Sequence, residues 1–252
     1  MIVLCLFYGV LDLTETNVSF RALSESCKSC SLTELCLPRG LQNEELQRLD
    51  DLIKTRRVVH SGDMLFKEGG QNRSIYAVRS GSVKTFTIME SGEEQILGFH
   101  LPGEIVGLAG LDQSIHNCSS KALETSSICE LPLDDLESIC LQIPSLQKQL
   151  LNLISREISQ DHKMLLLLAK KNSDQRIATF LLSLSGRFKL RGLSSDSFIL
   201  SMSRQDIANY LGLAVETVSR ILTRLSDDNV VNVTRRSIEI IDHDRLLQIA
   251  SS

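Results

Sequence analysis

The chain has no excess of positive charge: 27 lysines and arginines against 31 aspartates and glutamates leave a formal net charge of -4. A global electrostatic pull toward nucleic acid is therefore excluded, and any DNA binding must come from a locally basic surface. An export signal is also lacking. Met1 to Leu11 is apolar, but no basic residue precedes it, and Asp12 and Glu15 follow where a small-residue cleavage site is needed. That run is too short to span a bilayer, so a cytoplasmic protein is expected, with an apolar start that has no explanation here. Histidine is scarce, five in all, and the first is His60, so the cysteines upstream of it have no nearby imidazole for a mixed Cys/His zinc finger. His100 and His116 read as surface or core residues. No nucleophile–base pairing and no paired histidines of a barrel metalloenzyme occur, so an enzyme is not expected.

What is present starts with cysteine. Of seven, three fall in Cys27-Lys-Ser-Cys30-Ser-Leu-Thr-Glu-Leu-Cys36. Without an export signal a disulfide framework is disfavoured and a metal or redox role favoured. Thiolates two to five residues apart on a loop can converge on one centre, with a fourth supplied from Cys5, Cys118, Cys129 or Cys140. Spacing alone leaves three readings open: an iron–sulfur cluster, a structural zinc, or free thiols.

The 252 residues, 42% hydrophobic, suffice for two domains with real cores. A helix around Asn43 to Lys54 gives way to period-two runs such as Met64 to Phe66, Ile75 to Val78, Val83 to Ile88 and Gln95 to Phe99. Gly62, Gly69-Gly70, Gly81 and Gly92 break them, and Ala122 to Leu131 supplies the last strands. Short strands with glycine turns predict an antiparallel β jelly roll. Pro144 to Lys171 then reads as one uninterrupted helix of about 40 Å. Along it Leu151, Ile154, Ile158, Asp161, Leu165 and Leu168 alternate at spacings of three and four, the seam of a two-stranded coiled coil. The same pattern also suits an amphipathic core helix with Asp161 at its edge. In a parallel dimer each Asp161 faces its own image, so the pairing is marginal.

Ser173 reads as the cap of a further helix, and Ser194 to Ser197 as loop. Ser203-Arg-Gln-Asp206 is a capping box that opens Ile207 to Leu211; Gly212 ends that helix, and Val215 to Leu225 follows after three residues. This is helix-turn-helix spacing, and Val230 to Val233 with Ser237 to Ile241 make it winged. Glu216, Thr217, Ser219, Arg220 and Thr223 point outward from the second helix. Arg220 can pair with guanine and Glu216 with cytosine; the competing assignment is a solvated Glu–Arg pair. Arg204, Arg224, Arg235 and Arg236 are expected on phosphates.

This order, together with Ala122-Leu-Glu-Thr-Ser-Ser-Ile-Cys129-Glu-Leu-Pro132, Leu165-Leu-Leu-Leu-Ala-Lys-Lys-Asn172 and Asn209-Tyr-Leu-Gly-Leu-Ala-Val-Glu-Thr-Val-Ser-Arg220, resembles the cAMP receptor protein/FNR family of bacterial transcription regulators. The resemblance runs from Cys27 onward and is strongest to the oxygen-sensing FNR (fumarate and nitrate reduction) branch. It implies an α+β chain divided at 1–26, a sensor over 27–143, a dimerisation helix over 144–171 and a winged helix-turn-helix over 172–252. It also implies a 4Fe-4S cluster on Cys27, Cys30, Cys36 and Cys129, with Cys118 an extra thiol. Ile158 and Asp161, with Ile154 and Leu165 beside them, fall at an oxygen-responsive homodimer interface. Glu216, Ser219 and Arg220 match a base-reading triplet for inverted repeats resembling TTGAT. By the same resemblance the turn Met89 to Glu93, which carries Glu90 and Glu93, is expected to contact RNA polymerase. Two departures stand out. Ala214 replaces a Thr or Ser cap, a loss of about 1 kcal/mol of helix stability. The Arg-Ser pair that holds a cyclic phosphate is absent, Asn117-Cys-Ser-Ser120 standing instead, so cAMP is not expected as ligand. The alternative is a small-molecule-responsive regulator of the same fold with a zinc or thiol redox site.

Overall fold

The computed structural model describes residues 27–53 and 55–251; the apolar start and Cys5 lie outside the described residues. Cys27–Ser29 is one turn of 3-10 helix, followed by linked turns up to α1 (Asn43–Leu52), which buries Leu46 and Leu49. The expected helix to Lys54 stops earlier, because Ile53 leaves helical geometry and its N–H bonds Asp50.

Eight strands follow: β1 (Thr55–Val59), β2 (Met64–Phe66), β3 (Ser74–Ser80), β4 (Val83–Ile88), β5 (Glu94–His100), β6 (Ile105–Val106), β7 (Ser119–Ala122) and β8 (Ser126–Pro132). They form two antiparallel sheets, ordered β1-β8-β3-β6 and β2-β7-β4-β5, which close on a core of Val59, Leu65, Phe66, Tyr76, Val78, Val83, Val106, Cys118, Ala122 and Ile128. The jelly roll is as expected. β1 is an addition: Thr-Arg-Arg-Val-Val lacks clean alternation, and it becomes a strand by pairing at the sheet edge with β8, Arg56 opposite Cys129. Helix α2 (Leu133–Gln142) follows β8 directly, with Pro132 as an uncapped N-cap, so no glycine or cap announces it.

Helix α3 (Pro144–Lys170) has Pro144 in its first turn and runs 27 residues, about 40 Å. It buries only Leu146, Gln149 and Leu167, near its two ends. Between them Leu151 is 61% exposed, Ile158 50%, Leu165 67% and Leu166 61%, an apolar stripe with no partner among the described residues. The expected seam is narrower than the spacing suggests, since Ile154 and Leu168 tuck against the chain's own cores.

The C-terminal part comprises α4 (Ser173–Leu190), β9 (Ser197–Ile199), α5 (Arg204–Leu211), α6 (Val215–Asp227), β10 (Val231–Thr234), β11 (Ser237–Ile240) and α7 (His243–Ser251). The cap of α4 is Asn172, not Ser173: its side chain accepts the Gln175 N–H while Gln175 reaches back to the Asn172 N–H. The wing is a three-stranded sheet, β10-β11-β9, and so Ser197, expected in a loop, opens a strand that pairs with β11. Helix α7 lays Leu246 and Ala250 into the same core as α4, and Lys171 Nζ ties its end through the Ala250 carbonyl at 3.0 Å.

That core crosses from one half of the chain to the other. Phe86, Ile96, Phe99 and Leu101 of the roll pack with Ile177, Phe180, Leu181 and Ile207, and the Phe99 ring meets Phe180 and Tyr210 edge-on. Asn209 on α5 grips the β5 backbone, accepting from Ile96 N at 2.6 Å and donating to the Glu94 carbonyl at 2.5 Å. Lys84 bridges Glu94 (2.7 Å) and Asp206 (2.9 Å), while Glu104 is clasped by Arg187 (2.5 Å) and Arg191 (2.6 Å). Burial works against the Glu104 charge, but the two guanidiniums outweigh it and hold the carboxyl below its usual range. Among the described residues no helix is long and apolar enough to cross a membrane.

Candidate thiol site and nucleic-acid interface

Cys27, Cys30 and Cys36 on the N-terminal loop and Cys129 on β8 line one cavity of about 40 Å³, larger than the roughly 10–15 Å³ that holds one water. Leu32, Leu37, Pro38, Ile53 and Leu131 wall it with hydrocarbon. Thr33 shapes the loop by donating its hydroxyl to the Cys27 and Cys30 carbonyls at 2.9 and 2.7 Å. Gly103 supports it from below. Its φ of +89° disfavours any side chain, and a Cβ there would lie 2.9 Å from Leu35 Cβ. The loop also touches α3, where the buried Gln149 donates to the Cys36 carbonyl at 3.3 Å.

Of the candidates for a fourth thiol, Cys129 is the one brought to the triplet among the described residues. Cys118 is buried inside the roll, and Cys140 lies on α2 and does not line the cavity. No three His, Cys, Asp or Glu side chains among the described residues stand close enough to grip a single metal ion; the thiols surround the cavity instead. Four thiols without imidazole, in an apolar pocket, are a donor set that suits an iron–sulfur group.

Burial pushes the Cys36 thiol up to about 12, and Cys27 is raised further, by burial first and then by the Asp50 carboxylate. Cys129 is raised by burial too, with Arg56 and Arg79 opposing. Only the thiolate attacks electrophiles or binds metal, so the protons of these thiols must leave when a metal arrives. In metal-free protein, alkylation by iodoacetamide near pH 8 is expected to be far slower at Cys27 and Cys36 than after denaturation. It should accelerate as pH rises, because a raised thiol pKa moves thiolate formation into the alkaline range. Native Cys36 labelling at the denatured rate would refute this burial.

In the helix-turn-helix, Ser203 Oγ accepts the Asp206 N–H at 3.0 Å and Asp206 accepts the Ser203 N–H at 2.9 Å, the expected capping box. Gly212 ends α5 at φ +61°, a left-handed position. Ala214 caps α6 without a side-chain bond. Helix α6 buries Val218, Ile221, Leu222 and Leu225, which leaves Glu216, Arg220 and Thr223 exposed and Thr217 and Ser219 half-buried. No ion pair joins Glu216 to Arg220 among the described residues, so the solvated-pair assignment finds no support. Arg235 and Arg236 are exposed at the wing tip, Arg235 with φ +56°. Arg204 is half-buried, with one terminal nitrogen lacking a partner, and Arg224 is ion-paired to Asp174 rather than free. Glu90 and Glu93 are exposed on the β4–β5 turn.

Residues 56–142 match the Cyclic nucleotide-binding domain family, and residues 175–249 match the Crp-like helix-turn-helix domain family. The Transcriptional activator protein Anr of Pseudomonas protegens is 50% identical over 234 residues, spanning 92% of this chain and 96% of that protein. The Fumarate and nitrate reduction regulatory protein of Escherichia coli is 44% identical over 224 residues, 89% of this chain and 90% of that one. The chain belongs to the Crp/FNR family. As a Crp/FNR member it is a DNA-binding transcription regulator. The solved structure of FixK2 from Bradyrhizobium japonicum superposes with a TM-score of 0.73 at 28% identity, covering 79% of this chain and 98% of that one. The β-rich front half, long helix and C-terminal helix-turn-helix thus form a known Crp/FNR architecture.

Several polar partners in this Crp/FNR chain had no sequence signal. Asn209, Lys84 and Glu94 join the two halves, and Gln149, Asp50 and Arg56 surround the thiol loop. Arg56 is placed across from Cys129 only by the β1–β8 register, which the sequence does not announce.

Proposed function

We propose that this chain is an oxygen-responsive transcription regulator in which Cys27, Cys30, Cys36 and Cys129 hold a 4Fe-4S cluster. The observation that carries the reading is a shared core. Cys27, Cys36 and Cys129 pack against the same hydrophobic cluster as Leu146, Leu150, Leu153 and Ile154 of α3, and Gln149 bonds the Cys36 carbonyl. Bound there, the cluster supplies an oxygen-labile link between the loop and the sheet. With loop and sheet joined, the core that Leu37 shares with Leu146 is complete, and Gln149 ties the start of α3 to the Cys36 carbonyl. Leu151, Ile158 and Leu165 then meet their counterparts in a second copy, and the two α6 helices align on successive major grooves. When the loop is released, that support is lost, the charge of Asp161 separates the seam, and DNA is freed. The printed name of a further relative, the Anaerobic regulatory protein of Haemophilus influenzae, 44% identical over 226 residues, supports the anaerobic setting.

In this reading residues 27–143 sense, 144–171 dimerise and 172–252 bind DNA. Glu216, Ser219 and Arg220, with Thr217, read half-sites resembling TTGAT in an inverted repeat. Arg235 and Arg204 contact phosphates, and Glu90 and Glu93 meet RNA polymerase. Cyclic AMP is not the ligand in this reading, because Asn117-Cys-Ser-Ser120 offers no arginine to a cyclic phosphate. Arg220→Ala is expected to cost about 1–3 kcal/mol at its own base pair and relax preference there. Arg235→Ala should weaken all sequences alike and flatten the salt dependence. Binding titrations on single-base variants at several salt concentrations separate the two patterns, and a uniform loss for Arg220→Ala would put the recognition helix elsewhere.

Anaerobic purification followed by an absorbance spectrum and a sulfide assay tests the main reading. Brown protein with acid-labile sulfide is expected. Colourless protein with one bound zinc would favour a small-molecule regulator, the reading suggested by the cyclic nucleotide-binding match.

A further inference from the structure

Cys27 stands on a loop and Cys129 on a strand, and nothing in the covalent chain near either holds them together. A polar bridge joins them. The Cys27 N–H donates to Asp50 Oδ1 at 2.8 Å, and the same oxygen accepts Arg56 Nη2 at 2.6 Å. Arg56 lies on β1 directly across from Cys129 in the β1–β8 register. Both side chains are largely shielded, 18% and 12% exposed, so the pair is little screened by solvent. Asp50 sits in the last turn of α1, and the bridge therefore ties three elements at one oxygen: the thiol loop, α1 and the sheet edge.

We propose that Asp50 and Arg56 are positioning residues of the thiol site, which hold the loop cysteine Cys27 in register with the sheet cysteine Cys129. The inference rests on the cluster reading for its purpose but not for its geometry. A four-thiolate site with one ligand on a separate strand must oppose the entropy of a loop that is otherwise free to swing away. Thr33 orders the loop internally, through the Cys27 and Cys30 carbonyls, but does not reach the sheet. Gln149 attaches the far end of the loop to α3. The near end, at Cys27, is attached through Asp50. A guanidinium beside Cys129 also places positive charge where four thiolates gather, and Arg79 lines the same cavity. Losing Asp50 frees Cys27 and losing Arg56 loosens its tie to the sheet, opening one corner of the site while the other three thiols stay in place.

The test uses the full chain as wild type, Asp50→Ala, Arg56→Gln and the double variant. On metal-free protein the dithiol cross-linker dibromobimane, mapped by peptide mass spectrometry, reports whether Cys27 lies beside Cys129. With the reaction run to completion, so that the slowly alkylated thiols are counted, the wild type is expected to give the Cys27–Cys129 product, and Asp50→Ala to shift the yield to products within the loop. Arg56→Gln, which leaves Asp50 its bond to Cys27, should show a smaller shift in the same direction. On anaerobically loaded protein, iron release to a chelator is expected to be about tenfold faster in Asp50→Ala, the effect of one charge-assisted hydrogen bond. In the cross-linking assay the double variant should match Asp50→Ala alone, since both residues hold Cys27 through one oxygen. An unchanged cross-linking pattern in Asp50→Ala overturns the proposal, whatever the iron does. A wild type that takes up no iron defeats the cluster reading instead, and the cross-linking still decides the tether.

Discussion

Asp161→Ala is expected to dimerise and to bind DNA in air, without a cluster. Asp161 is exposed in the middle of α3, between Ile158 and Leu165, on the stripe that finds no partner among the described residues. Every other exposed position of that stripe is apolar, so pairing two copies buries hydrocarbon along its length and opposes two carboxylates at one layer. Two like charges 4 Å apart repel by about 1 kcal/mol in water and about 4 kcal/mol at an effective dielectric of 20. Each 1.4 kcal/mol is tenfold in affinity, so removing the charge should tighten the dimer by about tenfold or more. The local field already has a consequence within one chain: the Glu157 carboxyl, one turn earlier, is pushed up to about 7, by burial first and by Asp161 second. If sensing works by tipping a marginal dimer, deleting its one repulsive layer bypasses the sensor. Sedimentation of aerobic Asp161→Ala, with Asp161→Leu as a second variant, decides the matter. A monomer indistinguishable from aerobic wild type would remove the switch while leaving the fold and the thiol site standing.

Serine at Cys27, Cys30, Cys36 or Cys129 is expected to abolish stable iron retention and anaerobic DNA binding. Serine at Cys118 or Cys140 should leave both near wild type. The four residues line one cavity, whereas Cys118 is sealed inside the roll and Cys140 faces the core of α2. A hydroxyl is a far weaker donor to iron than a thiolate, and an opened corner admits water to a site walled by leucine and proline. Iron and sulfide counted after anaerobic purification read the result directly. Full iron in Cys129→Ser together with loss in Cys118→Ser would reassign the fourth position. Because Cys118 is buried at 9% exposure in the roll core, Cys118→Ser is expected to lower thermal stability without touching iron content. That pattern separates a packing defect from a ligand defect.

The elements that were legible in the sequence are those set by neighbours along the chain. The capping box at Ser203 to Asp206, the glycine stop at Gly212 and the three-residue turn to α6 are decided within one or two turns of backbone. The same holds for α3, whose proline start and unbroken run specify a long helix whatever surrounds it. What escaped were elements that exist only through distant pairing. Strand β1 is polar and irregular until β8 lies beside it; β9 is a serine-rich stretch until β11 pairs with it; α7 is an ordinary amphipathic segment until α4 receives its leucine.

The sequence by itself determined the order of the parts, the cysteine triplet, the outward face of the recognition helix and the acidic break in an apolar stripe, because periodicity, caps and spacing are local quantities. Only the tertiary structure decided which of the scattered cysteines stands beside the triplet, since strand register, not spacing, carries Cys129 to the loop. It also decided that Ile154 and Leu168 belong to the chain's own cores while Leu151, Ile158 and Leu165 face outward. The same packing brings Gln149 to the Cys36 carbonyl and Asp50 between Cys27 and Arg56. Those contacts join residues far apart in the chain, and a side chain's partner there is chosen by how sheets and helices pack rather than by anything written beside it in sequence.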